Sequence, residues 1–431
     1  MPNHIWQKLS LISFLIVAGL SVPACSLSPA PPTPTPEPVT LHFALRRNVA
    51  DYTALASQFH QLHPGVVVEM VPIDPFEHDP LEIIDSMDID VVRWGQDYLT
   101  AERAEQLLPL DEIILGDVGF PRQDMDKGAM EALRYKGIQR GLPAGLDFIV
   151  AYYNVERLKI ARATPPGPDW NLDDFLALAK TINHTEGASS QAEFVYGFCS
   201  EPESGDPVYL TYLFGGGVVD SLTEPSRPTL NNPANIKAVQ WYADLRLKDG
   251  VIPDPDEIGK SFSRGRLYEA IIRNKCGLWF GQYADQGGRM WPMEWESQGV
   301  MLPLPRSQVP LSYAGVDGYY LLAKSKHRRE AWEWMRFLLD RQEAAGMMLP
   351  PLKSQVNSTQ YAERVGKDVA AVARRLTANT VLLLPGDLDS RLDKVIQFYL
   401  GAVKQAVKGD ADVETALDEA QVQAEALFAA Q

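Results

Sequence analysis

Apolar residues recur along this chain in two rhythms, and the switches between them mark its elements. Val39–Leu45 (VTLHFAL) alternates and predicts a strand. After Arg46, Arg47 and Asn48 comes a helical face of Tyr52, Leu55, Ala56, Phe59 and Leu62, which Asp51 would cap. His63-Pro64-Gly65 stops that helix, and residues 66–71 predict a second strand. A short helix at 83–87 precedes an apolar strand, IDVV at 89–92, that ends at Arg93-Trp94-Gly95-Gln96-Asp97. Residues 101–107 predict a helix, and Leu108-Pro109-Leu110-Asp111 a turn. FIVAYY at 148–153 reads as a strand. Leu172, Phe175, Leu176 and Ala179 form the next helical face, with Asp169 or Asn171 as its cap. Strands at 194–198 and 276–280 flank a helix that carries Ile236, Val239, Gln240 and Ala243 behind the cap Asn232. The second of these strands delivers Gly281-Gln282-Tyr283.

Residues 313–348 are the most patterned stretch. Gly315-Val316-Asp317-Gly318 predicts a turn, 319–323 a short strand, and Lys324 to Arg329 a charged turn into a helix. Ala331, Met335, Leu338 and Leu339 give that helix one apolar face, widened by Trp332 and Trp334. Gly346 would end it, and Pro350-Pro351 forbids continuation. A last amphipathic helix, 412–428, places Val413, Ala416, Leu417, Ala420 and Ala424 on one side.

The first residues follow a different logic. Lys8 precedes a short apolar run at 9–20, and Val22-Pro23-Ala24-Cys25 then forms a lipobox-like cleavage site. The run is too short to span a bilayer comfortably, which takes roughly 20 residues. An export signal over 1–24, with lipid on Cys25, is the expectation. Residues 25–38 (CSLSPAPPTPTPEP) would be a Pro-rich extended tether. Cys199 and Cys276 remain, either as a disulfide or as two buried thiols. The net charge of −16 argues against a nucleic-acid partner or an anionic membrane surface.

Catalytic motifs are missing. There is no GxSxG, no HExxH and no glycine-rich loop ending in Lys-Ser or Lys-Thr. The seven histidines are scattered with no metal spacing, and the acid pairs Asp111-Glu112 and Asp173-Asp174 stand at helix starts, where the dipole favours them. No enzyme, metal or cofactor is expected. Binding needs apolar faces beside orienting polar groups. Trp94 and Trp279 each close a predicted strand beside polar residues, while Trp291 and Trp295 lie in an irregular stretch. Asn48, Gln96, Asp97, Asp147, Tyr283, Gly315 and Asp317 complete the candidate ligand set. Arg46, Arg47 and Arg93 keep an acidic or phosphorylated ligand open.

The order of these motifs resembles the extracellular solute-binding proteins of ABC importers, of the carbohydrate type related to maltose-binding protein. The shared features are the opening helix and "HPGVVVE" strand, "LPLD" at 108–111, the strand ending in Tyr152-Tyr153-Asn154, "PDWNLDDF" at 168–175, the glycine run Gly215-Gly216-Gly217, and the 313–348 segment. Together they cover about residues 39–430; "AM" of the family is replaced here by Glu269-Ala270-Ile271-Ile272. The resemblance implies an α/β, two-lobed periplasmic-binding-protein-like fold (type II) with a multi-pass hinge. Lobe one would hold 39–146 and 310–345, and lobe two 147–309 and 346–431, with a first crossing near Gly145 to Ile149. It further implies a small-molecule ligand, a mono- or oligosaccharide, held by hinge closure, ABC permease subunits as partners, and an extracytoplasmic place on a lipid anchor. A non-sugar ligand (polyamine, peptide or sugar phosphate) on the same fold, or a sensory or adhesive lipoprotein, are the alternatives.

Overall fold

A single mixed sheet organises the chain. The computed structural model describes residues 38–46, 48–74, 80–186, 193–222, 225–254, 267–286, 298–306, 311–378, 380–383 and 390–429. Cys25, the tether, Arg47, Trp291 and Trp295 lie outside them. The strands are β1 (Val39–Leu45), β2 (Val66–Pro72), β3 (Val91–Gly95), the short pair β4 (Arg134–Tyr135) and β5 (Ile138–Gln139), and β6 (Leu142–Asn154). They continue as β7 (His184–Glu186), β8 (Glu193–Cys199), β9 (Cys276–Gln282), β10 (Gly299–Leu302), β11 (Leu311–Leu321) and β12 (Thr380–Leu383).

The main sheet runs β2-β1-β3-β11-β6-β9-β8-β7, with β10 added to β6 and β12 to β11. β1 is parallel to β2 and β3, as expected for strands linked by helical crossovers. β6 changes partner along its length. Its first half pairs with β11, from Leu142 to Phe148. Its second half pairs with β9, from Ile149 to Tyr153, and with β10 from Ala151 to Asn154. β11 behaves likewise, pairing with β12 before Gly315 and with β3 from Asp317. Two long strands therefore join two half-sheets.

The cores follow this division. One contains Phe43, Phe59, Ala331, Trp334 and Leu338, under β1–β3. Another contains Phe175, Phe198, Leu278, Tyr399 and Leu417, under β8 and β9. A third runs along the shared strands, with Leu146, Phe148, Val150 and Val316. Residues 38–431 form one compact unit. The helix Arg328–Leu339 shows how pattern becomes packing. Trp334 is fully buried, and its ring lies 5.7 Å from Phe43 and 5.2 Å from Phe59. Trp332 stays at the rim, stacked on Phe120.

Several expectations need correction. Gly315 to Gly318 is not a turn but the middle of β11, because partners on both sides, invisible locally, keep it extended. The register with β6 shifts between Asp317 and Gly318, a bulge beside Pro143, which has no N–H to give the ladder. The helix after it ends at Leu339, and a 3-10 turn at Gln342–Ala345 leads to Gly346, whose φ is 64°. Asp51 is not the cap of Val49–Leu62; Asn48 precedes that helix in a left-handed conformation, φ 59°. Of the two cap candidates for Leu172–Ile182, Asn171 is the cap, in a capping box with Asp174. Cys199 and Cys276 form a disulfide between β8 and β9, with Cα atoms 5.7 Å apart.

Candidate functional site

A cavity of about 260 Å³ opens where β1 and β3 end and β6 and β11 cross. It lies at the carboxyl ends of parallel strands, the usual place for ligands in open α/β sheets. Arg46 follows β1, Trp94 and Gly95 close β3, and Gln96 and Asp97 open the 3-10 turn after it. Asp147 comes from β6, Gln282 from the end of β9, and Gly315, Val316 and Asp317 from β11. Met348 completes the wall. It approaches because position 145 is glycine: a Cβ there would sit 3.0 Å from that of Met348.

Arg93 is the buried charge beneath this cavity, 4% exposed. Its Nη2 lies 3.4 Å from Asp317 Oδ2 and donates to the Ala345 carbonyl at 3.4 Å. Burial alone would lower its pKa, but Tyr52, Asp317 and Tyr319 outweigh that and hold it above the ordinary arginine value. The surrounding hydroxyls are ordered: the Tyr52 hydroxyl donates to the Ala344 carbonyl at 2.7 Å and lies 2.8 Å from that of Tyr319. Asp317 is thus fixed from below, and 23% of its side chain remains exposed toward the cavity.

Trp94 forms one side. Its residue is 4% exposed, and the Arg46 guanidinium lies 4.0 Å over the ring centroid. Gln96 Oε1 accepts from the Val316 amide at 3.1 Å, and Asp147 Oδ1 accepts from the Ala284 amide at 2.9 Å. These bonds tie the strand ends to the crossing strands. An added Cβ at Gly315 would meet nothing within 4 Å, so the space beside it is open. Among the described residues the arrangement offers one aromatic ring, three carboxylates, two amides and two guanidiniums. It can orient a polyhydroxylated ligand.

Trp94, Gln96, Asp97, Asp147, Gly315 and Asp317 are therefore brought to one place. Three other candidates are not on the cavity's lining. Trp279 points into the core and stacks on Tyr152 at 5.5 Å, because its neighbours Leu278 and Phe280 are buried as well. Tyr283 is fully buried, its hydroxyl 2.5 Å from that of Tyr361. Asn48 packs where a Cβ on Gly346 would collide with its amide. Gln282, at the exposed end of β9, is the lining residue that strand-end reasoning should have preferred to Trp279. Met348 carried no local signal. Among the described residues no group of three His, Cys, Asp or Glu side chains is placed to hold a metal.

Comparison with known proteins gives a consistent family. Residues 45–345 match the model of the bacterial extracellular solute-binding proteins. A sugar transporter structure from Rhizobium etli, in an open conformation, superposes with a TM-score of 0.70 at 20% identity, over 90% of this chain and 99% of that one. The sugar-binding protein MalE from Xanthomonas citri gives 0.70 at 15%, over 91% and 98%. An ABC substrate-binding protein from Listeria monocytogenes in complex with cycloalternan gives 0.68 at 16%, over 92% and 100%. The fold is thus the two-lobed α/β fold of periplasmic binding proteins. The chain belongs to the bacterial extracellular solute-binding protein family, whose members bind solutes rather than transform them.

Proposed function

We propose that this protein captures a carbohydrate outside the cytoplasm and delivers it to the permease of an ABC importer. The observation that carries this is the cavity itself, where an indole stands among Gln96, Asp97, Asp147, Gln282 and Asp317. Sugars present hydroxyl pairs, which suit carboxylates and side-chain amides. Similar structures with sugar ligands support the class. The lobes are 39–146 with 310–345, and 147–309 with 346–431. The change of partners along β6 and β11 supports that division, and closure is a hinge motion about those strands. A polyamine would be drawn by three carboxylates but would lie beside two guanidiniums, so the sugar is the better fit.

Residues 1–24 serve as the export signal and Cys25 carries the lipid, with the tether holding the folded unit off the membrane. The Val22-Pro23-Ala24-Cys25 sequence and the apolar run before it support this. Cys25→Ala should release the protein from the membrane fraction; continued membrane association would exclude the anchor.

The test of ligand class is a thermal-shift screen of residues 38–431 against monosaccharides, oligosaccharides, polyamines and sugar phosphates. A ligand that binds only the native state raises the midpoint. A shift with a sugar is expected. A shift with a polyamine or phosphate ester alone would overturn the carbohydrate reading and leave the family untouched.

A further inference from the structure

The one aromatic ring that lines the cavity among the described residues is already covered. Arg46 leaves β1 and lays its guanidinium 4.0 Å over the Trp94 centroid, and Trp94 as a whole is 4% exposed, so no face of the indole is open to a sugar ring. The Arg46 Nη2 also lies 3.6 Å from where a Cβ on Gly95 would sit, an ordinary contact distance, so Arg46 rests against the end of β3. The remaining space, about 260 Å³, falls just below the roughly 300–1,000 Å³ of sites that hold drug-sized ligands. The second guanidinium, Arg93, is turned to Asp317 and the Ala345 carbonyl. Both cations on the cavity's lining among the described residues are thus engaged within the protein, and the carboxylates Asp97, Asp147 and Asp317 line it.

We propose that Arg46 is a specificity-determining residue that caps Trp94 and restricts the site to one uncharged sugar ring. This rests on the carbohydrate reading above. The ligand would hydrogen-bond to Asp147, Asp317 and the side-chain amides, while the capped indole denies a platform to a second ring. An acidic sugar would meet three carboxylates and find both guanidiniums occupied.

Calorimetric titration of residues 38–431 tests this with hexoses and pentoses, their di- and trisaccharides, and hexuronic acids. Arg46→Ala and Arg46→Gln are measured beside the wild type, each checked for an unchanged melting midpoint. The wild type should bind a monosaccharide at least about tenfold tighter than its disaccharide, the scale of one lost stacking contact. The variants should narrow that ratio about tenfold by gaining affinity for the disaccharide. Equal wild-type affinity for both lengths, tight binding of a hexuronic acid, or an unchanged ratio in both variants would overturn the cap and leave the carbohydrate reading standing. If no saccharide binds, the carbohydrate reading itself fails.

Discussion

Asp317→Asn is the substitution whose consequence the structure defines best. It keeps the shape of the side chain and removes the charge opposite a guanidinium that is 4% exposed. At the observed 3.4 Å, and an effective dielectric constant of about 20, the attraction lost is about 5 kcal/mol. Water reaches Asp317, 23% of whose side chain is exposed, and an Asn oxygen keeps part of the hydrogen bonding. A net cost of about 2–4 kcal/mol remains, near the range for breaking a buried pair. Unfolding entropy of about 2.1 cal/mol/K per residue over the unit 38–431 gives about 0.8 kcal/mol/K, so the midpoint should fall by about 3–5 °C. Circular dichroism melts without ligand measure this. The same change in an Arg93→Met background should cost much less, because the charge it abandons is gone. A single-variant midpoint within about 1 °C of wild type, or an equal cost in both backgrounds, would refute the ion pair as the anchor of Asp317.

Two further predictions follow from groups away from the cavity. Asp206 accepts from Ser200 Oγ at 2.7 Å, and that hydroxyl lies 2.8 Å from the Tyr242 hydroxyl. Burial pushes its carboxyl from 3.8 up to about 7, against the lowering by Ser200 and Ser204, with Glu201 nearby adding to the rise. The folded state then keeps a proton that the unfolded chain has lost, so stability present below about pH 4 is lost as pH rises toward 7. Asp206→Asn should flatten this part of the midpoint–pH profile; an unchanged slope would contradict the assignment. The Cys199–Cys276 disulfide spans 77 positions, and opening it should cost about 2–5 kcal/mol. A reductant should lower the wild-type midpoint and leave a Cys199→Ser/Cys276→Ser variant unmoved, whereas equal effects on both would assign the loss elsewhere.

What the sequence disclosed depended on how local the cause was. Caps such as Asn171 and Asn232, and the apolar face of Arg328–Leu339, are set by neighbours a few positions away, and the chain shows them directly. The strand after Ile89 was legible too, and its end carries Trp94, Gln96 and Asp97 to the cavity. β11 is not legible locally, because glycines 315 and 318 look like a turn until β3 and β6 are known to hold them extended. Trp279 and Gln282 share one strand, but only the packing against Tyr152 decides which faces the core. Arg93 looked like a ligand group, and its place beneath Asp317 depends on residues more than two hundred positions away. The disulfide was open for the same reason, since the pairing of β8 with β9 sets the cysteines side by side.

In the proposed function two lobes close around a carbohydrate at the crossing strands. Small-angle X-ray scattering during titration with the sugar found by thermal shift tests it most directly. The radius of gyration should fall from an open value above the roughly 21 Å expected of a compact chain of this length. It should saturate at the concentration where calorimetry saturates, and Asp147→Asn should shift both curves together to higher concentration. Binding that saturates with no change in the radius, or equal binding by Asp147→Asn, would contradict lobe closure at this cavity.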